Sequence, residues 1–365
     1  MRTILIFVPL TIGLGASLPS ADSQRGQEIF QKQGCVRCHS VQGKGVGTTA
    51  SDLGRIVDRN FTPALLASTM WNHGPTMWSA MRQKGVDVPE LSEQDAADLF
   101  AFFYSARYFD RPGDAARGKR AFAARRCADC HGISDAKIAA APPVSRWQSL
   151  QNPVALAESM WNHSGPMREE MARQNIPWQR LSAQELADIL VYLRNLKEMR
   201  GRPARFQTVR NESGEALFES KGCVSCHKGE LDLKDRLRGR TLTDIAVAMW
   251  NHSPQMAGQA KTFEPGEMSQ LLSYIWAEQY FEDRGNPQAG RKVFTGKSCT
   301  TCHSSSGGAP DLSGKMGQFS SVSMVASLWR HGPSMFEKTK QMGIPWPRLT
   351  EKQMSDLIAY LNSPR

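Results

Sequence analysis

Four stretches of the chain place apolar residues at helical spacing directly after a helix-start signal. They begin at Leu91-Ser92, Leu181-Ser182, Phe263-Glu264 and Leu349-Thr350. Ser92 with Asp95, Ser182 with Glu185 and Thr350 with Gln353 have the spacing of reciprocal N-terminal caps. Each run carries an aromatic residue at the same place, Phe102, Tyr192, Tyr274 and Tyr360, which reads as core. Upstream of each run lies another repeated pattern, Gly-x3-Phe-x4-Cys, at Gly26/Phe30/Cys35, Gly118/Phe122/Cys127, Gly214/Phe218/Cys223 and Gly290/Phe294/Cys299. It predicts an opening helix whose Phe packs on the core and whose Gly lets a second helix approach closely. The acidic residues fall mainly on helix starts and solvated faces. The fold class expected is all-α, in four repeated units.

The repeat has a second level. Units one and three end in Tyr108-Phe109 and Tyr280-Phe281, each Tyr 19 residues before the next unit's first cysteine. Units two and four instead contain Ile176-Pro177-Trp178 and Ile344-Pro345-Trp346. The pattern is A-B-A-B, a duplicated pair, and the short connector inside each pair predicts that unit one packs on two and unit three on four. The boundaries expected are 1–21 (signal peptide), 22–112, 113–199, 200–213 (linker), 214–285 and 286–365. The linker reading rests on the Arg/Pro/Gly-rich run from Met199 to Ser213.

The first residues, Met1-Arg2-Thr3 and an apolar run from Ile4 to about Ala16, form a short basic region and an apolar segment too short to span a bilayer. A secretory signal cut near Ser20 to Asp22 fits, which places the mature chain in the periplasm or otherwise outside the cytoplasm. No cysteine near that cut suggests a lipid anchor, and no later segment reads as a membrane helix. The formal charge of +10 would by itself suggest an anionic partner. No basic block with interleaved aromatics supports nucleic-acid binding.

All eight cysteines form four Cys-x-x-Cys pairs, and a histidine follows each. The four sets are Cys35, Cys38 and His39; Cys127, Cys130 and His131; Cys223, Cys226 and His227; and Cys299, Cys302 and His303. This is the spacing of c-type haem attachment. Two thiols on one helical turn reach the two vinyl groups of one haem, and the next residue presents an imidazole beneath the iron. Disulfides or zinc-thiolate sites would leave the four histidines idle. A thioredoxin-like motif would need a βαβ context that is absent. Four haem propionate pairs would also offset about eight positive charges, which removes the case for a polyanionic partner.

Each unit resembles a class I cytochrome c domain: a first helix with Gly and Phe, the Cys-x-x-Cys-His motif, a middle helix, a distal-ligand loop and a closing helix. The resemblance covers nearly the whole mature chain. It implies four covalently attached haem c groups, with His39, His131, His227 and His303 as proximal ligands. A block with two candidate distal ligands recurs between motif and closing helix. It runs Met70-Trp71-Asn72-His73 to Met77, Met160-Trp161-Asn162-His163 to Met167, Met249-Trp250-Asn251-His252 to Met256, and Leu328-Trp329-Arg330-His331 to Met335. The family pattern of Asn followed five residues later by Met favours Met77, Met167, Met256 and Met335, carried on a Pro-containing loop. The alternative is His73, His163, His252 and His331, which would use every histidine in the chain. The Trp of each block reads as pocket packing with a polar N–H handle rather than as an electron-hopping station.

The function expected is relay of single electrons between redox partner proteins, a membrane-bound electron-transport complex among them, with no catalytic residue. The enzyme-class alternative is a multihaem reductase or peroxidase with one five-coordinate haem. Unit three is its candidate site, because Met256 lies 7 residues before Phe263 where the other units have 14 between Met and Leu.

Overall fold

The computed structural model describes residues 21–43, 50–54, 61–106, 113–199, 213–237, 240–256, 261–280, 285–312 and 319–364. Residues 1–20 of the signal peptide, nearly all of the linker, Tyr108, Phe109 and Phe281 lie outside these. The described residues are helical, with no strand.

Opening helices run Ser23–Lys32, Ala115–Ala124, Gly214–Ser220 and Pro287–Gly296. Closing helices run Glu93–Ala106, Ala183–Arg194, Glu267–Tyr280 and Glu351–Leu361. The predicted caps are made: Ser92 and Asp95 bond reciprocally, and Ser182/Glu185 and Thr350/Gln353 form complete capping boxes. In each unit the opening helix crosses the closing helix at its glycine. A Cβ on Gly118 would lie 1.9 Å from the Asp188 carbonyl oxygen, and Gly26 and Gly290 meet Asp98 and Asp356 in the same way.

Those three aspartates are buried, contrary to the expectation that acidic residues sit on helix starts and solvated faces. Each carboxylate accepts the backbone N–H at the start of the opening helix: Asp22 to Asp98 and Asp114 to Asp188 at 2.7 Å, and Asn286 to Asp356 at 2.8 Å. Arg25 and Arg117 add ion pairs to the first two, at 2.9 and 2.8 Å. A buried carboxylate survives here because donors surround it. Unit three has Gln270 near Gly214 instead.

The middle helices differ from the expected loop. In units one and four they are continuous, Pro63–Gln83 and Ser321–Gln341, and run straight through Pro75 and Pro333. In unit two the helix breaks at His163, between Pro153–Asn162 and Ser164–Arg173, and in unit three it ends at His252.

Packing between units pairs one with four and two with three. Two A–B pairs therefore exist, but their members are exchanged relative to the order of the chain. The contacts repeat residue for residue. Trp346 of unit four stacks on Trp71 of unit one at 5.0 Å, and Trp178 of unit two lies on Trp250 of unit three at 4.2 Å. The Trp346 indole donates to the Trp71 carbonyl, and that of Trp178 to the Trp250 carbonyl. Asn72 clamps the backbone N–H and C=O of Leu349 with its side-chain amide, and Asn251 does the same to Leu181.

Proline explains the lock. Pro75 and Pro254 have no N–H to offer the carbonyl four residues back, which is that of Trp71 and Trp250 respectively. The Ile-Pro-Trp segment of a B unit supplies a donor to each, and the Trp250 carbonyl also accepts the Ser253 N–H at 3.2 Å. The two A units meet through Tyr104 and Trp276, which hold the same place in units one and three; their rings lie 3.7 Å apart, and Phe100 stacks on Trp276 at 5.0 Å. The units therefore touch in the order four, one, three, two. A short connector does not dictate pairing: each B unit docks its Ile-Pro-Trp segment on the A unit of the other half.

Candidate haem sites

The residue before each first cysteine is left-handed: Gly34, Arg126, Gly222 and Ser298, with φ of 73°, 61°, 81° and 63°. This kink ends the opening helix and starts the one-turn helix that carries Cys35 and Cys38, Cys127 and Cys130, Cys223 and Cys226, or Cys299 and Cys302. In every unit the motif histidine closes the turn, its backbone N–H donating to the carbonyl of the first cysteine. In unit four the Cys302 carbonyl in turn accepts the Ala309 N–H at 3.1 Å, which folds the following loop back on the motif.

None of the eight cysteines is in a disulfide, and Cys302, like the others apart from the exposed Cys226, is half-buried. Burial pushes the Cys127 thiol up to about 12 and the Cys35 and Cys299 thiols to about 11. No group of three or more His, Cys, Asp or Glu side chains able to hold a metal ion occurs among the described residues. The raised thiol pKa values run against reactive-thiolate sites.

All four motif histidines are oriented alike. Nδ1 of His39 faces the Ser51 carbonyl at 3.0 Å, that of His131 the Pro142 carbonyl at 3.2 Å, that of His227 the Leu231 carbonyl at 3.3 Å, and that of His303 the Pro310 carbonyl at 3.0 Å. A carbonyl accepts, so Nδ1 carries the proton and Nε2 keeps a free lone pair, the arrangement of a metal-ligating imidazole. The sequence does not reveal these carbonyls, since a main-chain acceptor leaves no side-chain signature. Nor does it reveal Trp147, edge-on to His131 at 5.1 Å, because no other unit repeats it.

The distal block comes to the same place. Ring centres lie 6.3 Å apart for His39 and His73, 6.2 Å for His131 and His163, and 6.5 Å for His227 and His252. His163 also directs Nδ1 to a carbonyl, that of Ser159. Burial lowers the pKa of His131, His163 and His73, and His39 adds to the effect at His73. The four methionines sit one turn beyond the histidines, half-buried against the core.

In unit two the histidines flank a cavity of about 440 Å³, lined by Cys127, Cys130, His131, His163, Met167 and, from unit three, Trp250. Thiols, a facing imidazole pair and a predominantly apolar wall fit a covalently held haem. Haem bound there supplies one-electron chemistry; the chain attaches it, orients the imidazoles and excludes water.

The cytochrome c family model matches residues 23–106, 115–197 and 287–364. The chain belongs to the cytochrome c family. The three matched segments are units one, two and four. Unit three falls outside the match, yet its motif, its left-handed Gly222 and its histidine-to-carbonyl contact repeat those of its neighbours. No curated protein and no solved structure matches this cytochrome c chain. The family's role is haem-based electron transfer, and no helix among the described residues is long and apolar enough to cross a membrane.

Proposed function

We propose that the protein carries four haem c groups and relays single electrons between redox partner proteins outside the cytoplasm. The attachment sites are Cys35 with Cys38, Cys127 with Cys130, Cys223 with Cys226 and Cys299 with Cys302. His39, His131, His227 and His303 are the proximal ligands. The secretory signal at 1–21 and the unit boundaries given above belong to this reading.

For the distal ligand the ring separations favour histidine in three units over the methionine that the family pattern suggests. Two imidazoles that would hold one metal between them, with a metal–nitrogen bond of about 2 Å and roughly 1 Å more from nitrogen to each ring centre, would have ring centres roughly 6 Å apart. Units one, two and three have that spacing, so His73, His163 and His252 are the ligands there. In unit four Met335, the ligand that the family pattern suggests, takes the role. A methionine ligand raises the potential relative to a histidine pair, so electrons collect in unit four. The facing pair His227–His252 gives unit three the arrangement of units one and two, which favours electron transfer there over an open, reactive position.

The observation that carries this reading is the set of four proximal histidines, each with Nδ1 on a carbonyl. A haemochrome assay is expected to count four haems per chain, falling to three when Cys223 and Cys226 are both replaced by serine. The unit-four site is counted in the same way with Cys299→Ser and Cys302→Ser. The oxidised protein should show a weak red iron–methionine band of one-haem intensity, lost in Met335→Leu and kept in Met77→Leu. A band that weakens in Met77→Leu overturns the distal assignment. Rapid carbon monoxide binding at one haem would move the protein into the reductase or peroxidase class.

A further inference from the structure

Each joint between units is closed by an aromatic pair. Trp71–Trp346 joins one to four, Tyr104–Trp276 joins one to three, and Trp250–Trp178 joins three to two. Two of these pairs also include a residue of the distal block. Trp71 and Trp250 stand two residues before His73 and His252 in their own units, and Trp250 lines the cavity that holds His131 and His163 of the next unit. Trp250 thus carries the two–three joint into the unit-two site.

Charge marks the same two ends. Unit four (286–365) has ten Lys and Arg against four Asp and Glu, and unit two (113–199) has twelve against nine. The inner units are not basic: unit one (22–112) has ten against ten and unit three (214–285) eight against eleven. A pair of propionates in every unit leaves this ranking unchanged.

Building on the four-haem reading, we infer that electrons pass in the order four–one–three–two through the three aromatic joints, so that units two and four are the ends at which external one-electron redox proteins exchange with the chain. Each step oxidises one site by one electron and reduces its neighbour by one, with no bond made or broken. The aromatic rings act as the medium between sites, not as oxidised stations. This differs from the order along the chain, in which unit one would pass electrons to two and three to four.

Exchange spectroscopy of the haem methyl protons, at partial reduction of the full haem-loaded chain, separates the two orders. Removing the unit-one site with Cys35→Ser and Cys38→Ser is expected to slow exchange between unit four and units two and three at least a hundredfold, with two–three exchange retained. Removing the unit-two site with Cys127→Ser and Cys130→Ser is expected to leave four–one–three exchange at the wild-type rate. The opposite outcome, two–three–four exchange surviving in the first variant and unit one isolated in the second, overturns the inference. Should a three-haem chain lose its fold, the four-haem variant Tyr104→Leu with Trp276→Leu decides. It should slow one–three exchange about tenfold and spare the other joints, whereas Tyr104→Phe is silent. Wild-type exchange in the double variant overturns the aromatic coupling. A wild-type chain showing no exchange between any sites would instead refute the electron-transfer reading.

Discussion

At the joint of units one and four, two 21-residue helices cross, and Gly332 lies so close to Trp78 that a Cβ would stand 2.4 Å from the ring. Trp346 packs there on Trp71 and edge-on to both Trp78 and Phe336. At the joint of units two and three the middle helices stop at their histidines, and polar contacts replace the aromatic cluster. Asn162 and Asn251 clamp Phe263 and Leu181 reciprocally. The Trp161 indole donates to the Lys261 carbonyl at 3.0 Å. The Glu158 carboxylate, its pKa raised by burial, accepts N–H groups of Gly266 and Met268 at the start of the unit-three closing helix. In the other pair Arg330 stands where Asn162 does, and the Trp329 N–H is buried without a partner. The two joints share the indole-to-carbonyl lock and the Asn clamp on the B unit. These shared contacts are what the two joints have in common, and the packing around them differs.

Breaking the lock should give the largest effect. Trp346→Ala is expected to destabilise the holoprotein by about 4 kcal/mol, through lost ring packing and an unpartnered Trp71 carbonyl. Trp178→Ala should cost about 3 kcal/mol, since that ring has fewer aromatic neighbours. Denaturant titration compares them, and equal costs would mean that the extra cluster at one–four adds nothing. Gly332→Ala should cost about 2 kcal/mol by overpacking against Trp78. Gly165→Ala, in the matching block of unit two, has open space around its Cβ and should be nearly silent. Arg330→Asn should make the one–four clamp reciprocal and stabilise by about 1 kcal/mol, read as a rise in Tm; a fall would show that the second clamp depends on the broken helices of the two–three joint. Smallest are the left-handed positions, which are glycine in A units and Arg126 and Ser298 in B units. Replacing either with glycine relieves strain and should stabilise by about 0.5–1 kcal/mol, with haem content unchanged.

One pH effect follows from the buried aspartates. Burial opposes ionisation of Asp188, but the bonds from Arg117, the Asp114 backbone and Gln184 outweigh it and hold its pKa below the usual value. The folded state then binds its proton at lower pH than the unfolded chain does. The stability that it confers is present above the ordinary carboxylate range and is lost as pH falls through the lowered value. Asp188→Asn should flatten that acid limb in a pH series of Tm.

Much of the site is legible in the chain. The attachment motifs, from Cys35 to Cys302, the glycine-and-Phe helix and the Ser92, Ser182 and Thr350 caps are patterns of residues within a few positions of one another, and they fold by local rules. The distal block is legible as a block, but its helical form is not. Pro75 and Pro333 read as loop residues until Trp346, 275 residues from Trp71, is seen filling the gap that Pro75 leaves in the helix. The three buried aspartates read as surface charge, because the donors that keep them buried are main-chain N–H groups 70 or more residues away.

What the sequence determined by itself is the number of attachment motifs, the helices and the A-B-A-B kinship, since covalent spacing and helical periodicity act at short range. It could not determine which A unit receives which B unit. Trp178 and Trp346 are equivalent segments, and so are the Trp-x3-Pro acceptors at Trp71 and Trp250; local chemistry is the same for either match. Only the tertiary structure decided it, by bringing Tyr104 against Trp276 between the two A units and leaving each B unit beside the A unit of the other half.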